Sequence, residues 1–157
     1  MKILVVYYSR TGNTKAIAEA LVEALNADID EIIDLKKRMG FLNWLRSGHD
    51  ALRKKFTQIK TQKNPMDYDF ILIGTPIWAG KMTPAVRTYI KENPLEQKKI
   101  SFFITSGGDK RQKVMDDLRE ITPNNEHTPN FGILGKEIKK GNYKDRVNSF
   151  VQSLSFE

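Results

Sequence analysis

Three apolar runs, Ile3 to Tyr8, Phe70 to Gly74 and Ile100 to Ile104, are short, unalternating and bounded by turn residues. That is the pattern of strands buried on both faces of a parallel sheet. Ile29, Ile32, Ile33 and Leu35, interleaved with acids, predict a weaker edge strand, and Phe131 to Leu134 a last one. Between the runs, Ile17, Leu21, Ala24 and Leu25 recur at the spacing of one helix face. Val86, Tyr89 and Ile90 do so behind Thr83 and Pro84, and Val147, Phe150, Val151 and Leu154 do so near the C-terminus. Alternating strands and helices, joined by right-handed crossovers, predict an α/β fold: a doubly wound five-stranded parallel sheet with helices on both faces. The whole of 1–157 is read as one domain without internal repeats, with an excursion over 36–63 between the second and third strands.

Ligands of such sheets sit beyond the carboxyl ends of the strands, where the winding reverses. The loops that converge there follow the first, third and fourth strands: SRTGNT at 9–14, TPIWAGKM at 75–82 and TSGGDK at 105–110. In the first, short side chains that carry or accept hydrogen bonds (Ser9, Thr11, Asn13, Thr14) flank Gly12, whose missing Cβ lets backbone N–H groups close on an oxyanion. The helix that follows adds unpaired N–H groups and the positive end of its dipole. A plain polar turn, with Asn13 or Thr14 as helix N-cap, is the competing reading. No G-x-x-x-x-G-K-[ST] and no G-x-G-x-x-G occurs, which argues against an ATP P-loop or a dinucleotide fingerprint.

Composition narrows the chemistry. The chain has no cysteine and only His49 and His127, so thiolate catalysis, iron–sulfur ligation and a transition-metal site are not expected. Redox chemistry would come from a cofactor. No apolar run approaches a membrane span and no leader pattern precedes the first strand, which predicts a cytoplasmic protein. The net charge of +7 is local: 36–63 holds nine Lys and Arg against Asp50 alone, leaving −1 for the remainder. The same segment carries Phe41, Leu42, Trp44, Leu45, Leu52 and Phe56 on a helical pattern broken at Gly48, and the preferred reading is a core helix covering a sheet face.

The ordered set S-x-T-G-N-T, G-T-P-I-W-A-G and T-S-G-G, each on the matching element, resembles the flavodoxin family of short FMN-binding proteins over essentially the whole chain. The resemblance implies the strand order 2-1-3-4-5 and FMN as cofactor. It implies that Ser9, Arg10, Thr11, Gly12, Asn13 and Thr14 wrap the phosphate, and that Thr75, Pro76, Ile77, Trp78, Ala79 and Gly80 run along one flavin face with Trp78 stacking. Thr105, Ser106, Gly107, Gly108 and Asp109 form the third loop. It holds no aromatic, so the second face is open or is closed from elsewhere, the excursion at 36–63 being the obvious donor and Trp44 the residue to test.

The resemblance further implies an electron carrier, with an FMN-dependent NAD(P)H or quinone oxidoreductase as the alternative and a non-catalytic flavin-binding regulatory module as a remote third. A phosphoacceptor receiver is excluded, because Tyr7, Tyr8, Ser9, Gly74 and Thr75 stand where its acids would be. The basic excursion suits an acidic redox partner or plain solvation. Attraction of NADPH phosphates is a further use; the segment lacks the features of a nucleic-acid reader, and peripheral membrane contact through Trp44 and Leu45 is a lesser expectation. The chain is expected as a monomer or dimer. One cation ~10 Å from the flavin, at an effective dielectric of ~40, would stabilise an anionic reduced flavin by ~0.8 kcal/mol. That raises a one-electron potential by about 35 mV.

Overall fold

Along the first strand Leu4 and Val6 enter one core and Val5 and Tyr7 the other, all of them buried, which is why the run shows no polar alternation. The computed structural model describes residues 1–108 and 111–154. In chain order these form β1 (Ile3–Tyr7), α1 (Asn13–Leu25), β2 (Asp28–Glu31), β3 (Ile33–Asp34), α2 (Phe41–Leu52), β4 (Ile59–Lys60) and a short 3-10 turn at Pro65–Asp67. There follow β5 (Phe70–Trp78), β6 (Lys81–Met82), α3 (Pro84–Glu92), β7 (Lys99–Ser106), α4 (Arg111–Glu120), β8 (Glu126–His127), β9 (Phe131–Leu134), α5 (Gly135–Lys139) and α6 (Lys144–Ser153).

The sheet runs β2-β1-β5-β7, with β8 and β9 both lying along β7. Every one of these pairings is parallel. This is the expected order, with the fifth strand in two pieces. Pro129 carries no N–H, and the Asn130 side-chain oxygen accepts the Phe102 N–H at 2.9 Å in place of a ladder carbonyl, which interrupts the strand between β8 and β9. Helices α1 and α6 close one face through Ile17, Leu21, Val147 and Phe150. Helices α3 and α4 close the other through Val86, Tyr89, Val114 and Leu118. Thr83 caps α3 and Pro84 occupies its first turn, as the sequence predicts. At Gly74 a Cβ would lie 2.1 Å from Cζ of the buried Phe103, so the two central strands meet where only glycine fits.

Two expectations about the region after β2 are corrected. The edge strand stops at Glu31, and Ile33–Asp34 instead pairs antiparallel with Ile59–Lys60 in a separate ribbon. Asp30, buried, accepts the backbone N–H groups of Gln62 (3.0 Å) and Lys63 (2.8 Å), which ties the returning chain to β2. The helix is also continuous through Gly48, and it does not lay its apolar residues on the sheet. Its buried residues are Ser47, Asp50 and Ala51, while Phe41, Leu42, Trp44, Leu45 and Leu52 are exposed.

Charge explains the inversion. Asp50 is 2 % exposed, and its Oδ2 accepts from Lys36 Nζ at 2.5 Å and Arg38 Nη1 at 2.8 Å, with Lys55 Nζ 3.3 Å from Oδ1. Arg38 Nε also donates to Asp34 at 2.9 Å. A carboxylate with three cationic neighbours decides which side of α2 turns inward, against the hydrophobic pattern of the helix.

Candidate functional site

Between Tyr7 and Asn13 the chain must turn from a buried strand into a helix without a side-chain cap. Gly12 takes the N-cap position at φ 89°, a left-handed conformation, and donates its N–H to Ser9 Oγ at 3.1 Å. No side chain caps α1, so Asn13 and Thr14 serve as its first residues, and the N–H groups of its first turn stay available to an anion. Thr14, buried, shares a 2.8 Å hydrogen bond with Thr105 Oγ1, which locks this turn to the end of β7. Ser106 Oγ donates to the Gly108 carbonyl at 2.7 Å and shapes the third loop.

These elements enclose a cleft of about 130 Å³, walled on one side by Arg10, Thr11, Asn13 and Thr14 and on the other by Pro76, Ile77 and Trp78. Thr105, Ser106 and Gly107 form its floor. The three predicted loops thus converge. Ser9 and Gly12 build the first turn from behind. Thr75 is fully buried, and its hydroxyl is spent on the Pro76 carbonyl (2.9 Å) and Thr83 (3.4 Å), so it braces the loop and the start of α3. Asp109 lies outside the described residues.

Ala79 and Gly80 form the two-residue turn of a hairpin in which Trp78 pairs with Lys81 and Ile77 with Met82. Both turn residues have positive φ, 48° and 76°, as a two-residue hairpin turn that follows the twist of its strands requires. Gly80 suits this; Ala79 adopts it at a steric cost. Lys81 Nζ is fixed to Asp117 of α4 at 2.7 Å, which anchors the hairpin.

Trp78 is 7 % exposed and sits with its ring edge-on to Tyr8, centroids 5.5 Å apart. The Arg10 guanidinium lies 4.4 Å from its ring centroid and Arg38 lies 5.9 Å from it. Arg10 therefore packs on Trp78 in this structure. Burial, with Arg38 adding its repulsion, holds the Arg10 pKa below that of a free guanidinium. The Tyr8 phenol is pushed up to about 12, by burial first and then by Asp34, so it is a neutral donor at ordinary pH.

A second cleft, of about 450 Å³, continues past Arg10, Ile77 and Trp78 to the outward side of α2. Trp44, Leu45, Gly48, His49 and Leu52 line its far wall. At Gly48 an added Cβ would lie 3.8 Å from the Ala79 Cβ, so an alanine there would just reach van der Waals contact with the hairpin tip. The exposed apolar side of α2, read from sequence as core, is here a cleft wall. Arg38, counted in the sequence only as one more cation, is the buried link between α2 and Trp78. Its Nη2 has no hydrogen-bond partner among the described residues. The sequence signal for it is the set Asp34, Arg38 and Asp50, two acids bracketing a cation within a strongly basic stretch.

The donor set of the smaller cleft suits a phosphate monoester: an uncapped helix N-terminus, a positive-φ glycine, four hydroxyls and one guanidinium within one turn and its neighbours. Comparison with known proteins agrees with the architecture. A putative flavoprotein from Bacteroides uniformis superposes with a TM-score of 0.84 at 25% identity, over 96% of this chain and 97% of that one. One from Bacteroides eggerthii superposes at 0.82 and 26%, over 99% of each. A flavoprotein from Lactobacillus acidophilus, solved in complex with FMN, does so at 0.73 and 22%, over 88% of this chain and 97% of that one. The sequence profile of the flavodoxin family matches residues 2–153, and by that near-complete match the chain belongs to the flavodoxin family.

Proposed function

We propose that this chain binds FMN in the smaller cleft and works as an electron-transfer protein of flavodoxin type. The observation that carries the reading is the Gly12 N-cap, which leaves the first turn of α1 without a side-chain partner beside Thr11, Asn13 and the Thr14–Thr105 pair. In this reading the backbone N–H groups of that turn and the Thr11 hydroxyl hold the phosphate. Ile77, Trp78 and the 105–107 loop position the ring system. The cofactor supplies one- and two-electron transfer when bound, and the protein contributes orientation, exclusion of water and charge.

Arg10 has two employments. It can stay on Trp78 or swing to the phosphate, and either places a cation at the edge of the site. The test is a titration of the purified protein with FMN and with riboflavin, followed by quenching of flavin fluorescence. Stoichiometric FMN binding at least tenfold tighter than riboflavin binding is expected. Equal affinities would remove the phosphate cradle from the reading.

The larger cleft favours one alternative, an FMN-dependent oxidoreductase acting on a flat apolar acceptor admitted between Trp44 and Ala79. Addition of NADH or NADPH to the loaded protein separates the two. Bleaching of the flavin without a reductase belongs to the oxidoreductase, and its absence to the carrier.

A further inference from the structure

From the inverted helix α2 we infer that this protein docks on an anionic lipid surface. A helix in a folded domain ordinarily turns its apolar stripe inward. Here Phe41 is 74 % and Leu42 78 % exposed, and Met39, Trp44, Leu45 and Leu52 stand out beside them. Trp44, Leu45 and Leu52 also line the larger cleft; Met39, Phe41 and Leu42 do not. No part of the candidate site covers those three.

Charge identifies the occupant. Lys36, Arg38 and Lys55 are held by Asp50, but Lys37, Arg46, Arg53 and Lys54 are exposed. Arg46 and Arg53 follow Leu42 at helical spacing, with the cleft-lining His49 between them, so two arginines run alongside the apolar side of α2. An apolar stripe of Phe, Leu and Trp flanked by cations is the design of a helix lying in a lipid interface, where the rings and chains enter the headgroup boundary and the cations meet anionic lipids. A second copy of this chain is the wrong occupant, because an isologous contact would bring +8 against +8 over 36–63. An acidic protein would satisfy the cations. It would not explain why Met39, Phe41 and Leu42 stand at the surface outside the cleft, since the core of a transient redox contact is small and its rim polar. From the sequence, an acidic partner or plain solvation ranks above membrane contact; the exposure of Met39, Phe41 and Leu42 is what favours the lipid surface here.

The experiment is flotation of the intact, FMN-loaded 157-residue chain with vesicles of phosphatidylcholine alone and with vesicles containing about one third phosphatidylglycerol, at low and at high salt. Co-flotation is expected with the anionic vesicles only, weakening as salt rises. Trp44 should report it independently: Trp78 is buried, so a blue shift of tryptophan emission on vesicle addition belongs to Trp44, and W44F should abolish it. R53Q/K54Q should weaken binding about 25-fold, roughly fivefold for each cation. F41S/L42S should abolish it while leaving FMN affinity unchanged, which separates failure of this proposal from failure of the cradle. Absence of co-flotation at low salt, equal binding to neutral vesicles, or full binding by F41S/L42S would each overturn the inference. So would tight binding to an acidic protein with no vesicle binding.

Discussion

Replacing Asp50 by asparagine preserves shape and removes one charge from the centre of the excursion. Both carboxylate oxygens are engaged: Oδ2 with Lys36 and Arg38, Oδ1 with Lys55. An amide offers one acceptor and turns an NH₂ donor toward cations on the other side. Removing one partner of a buried ion pair costs ~3–5 kcal/mol, because the remaining charge is stranded. Asp34 still holds Arg38 at 2.9 Å, which places Asp50→Asn at the lower end, about 3 kcal/mol. For a chain of this size that lowers the melting temperature by roughly 6–12 °C. If the excursion melts ahead of the sheet, Trp44 fluorescence will report an earlier transition than far-UV circular dichroism. The pH dependence has a definite sign. Burial alone would raise the Asp50 pKa, but hydrogen bonds from Lys36, Arg38 and Lys55 win and hold it well below the usual carboxylate range. Its contribution is therefore complete above the unfolded-state pKa, near pH 4, and is lost as pH falls through the lower folded value. Urea denaturation of wild type and variant at neutral pH and in stronger acid measures both effects. A variant within 1 kcal/mol of wild type at neutral pH would refute the electrostatic account of why α2 is inverted.

At the central strand contact, Gly74→Ala forces Phe103 from its place and should cost ~3 kcal/mol or more in urea denaturation, with partial recovery in Gly74→Ala/Phe103→Leu; a loss under 1 kcal/mol would contradict the packing. Thr14→Val leaves Thr105 Oγ1 buried without its partner and should cost ~1–3 kcal/mol. The double variant Thr14→Val/Thr105→Val should cost less than the sum of the singles, and strict additivity would show that the pair is not coupled. Arg10→Gln removes a cation from the edge of the site and should lower the potential of bound FMN by about 35 mV in a redox titration, the reverse of the stabilisation set out for one charge. An unchanged potential would mean that solvent screens the guanidinium fully.

Burial on both faces made the central strands legible, since β1, β5 and β7 have no polar side to disguise them. The cradle was legible because Gly12 and its hydroxylated neighbours fall where an apolar run ends and a helical pattern starts. What escaped was decided between distant residues. The direction faced by α2 depends on Asp50 meeting Lys36, Arg38 and Lys55, and hydrophobic periodicity is blind to a buried ion cluster. The position of Arg10 on Trp78 joins two loops whose proximity only the folded sheet supplies. The split of the fifth strand rests on one side chain, that of Asn130, standing in for a backbone carbonyl.

Gly48 has a bearing on how relatives of this chain could diverge. Glycine inside a helix costs ~1 kcal/mol relative to alanine, and an alanine here would meet Ala79 at an ordinary 3.8 Å, so neither strain nor collision demands the glycine. What it supplies is empty space on the wall of the larger cleft. A bulkier side chain at 48 would shut the passage between α2 and the hairpin while leaving every strand, the cradle and the Asp50 cluster untouched. The size of molecule that reaches Trp78 from this side is therefore a trait that a single codon can alter, independently of cofactor affinity and of the fold.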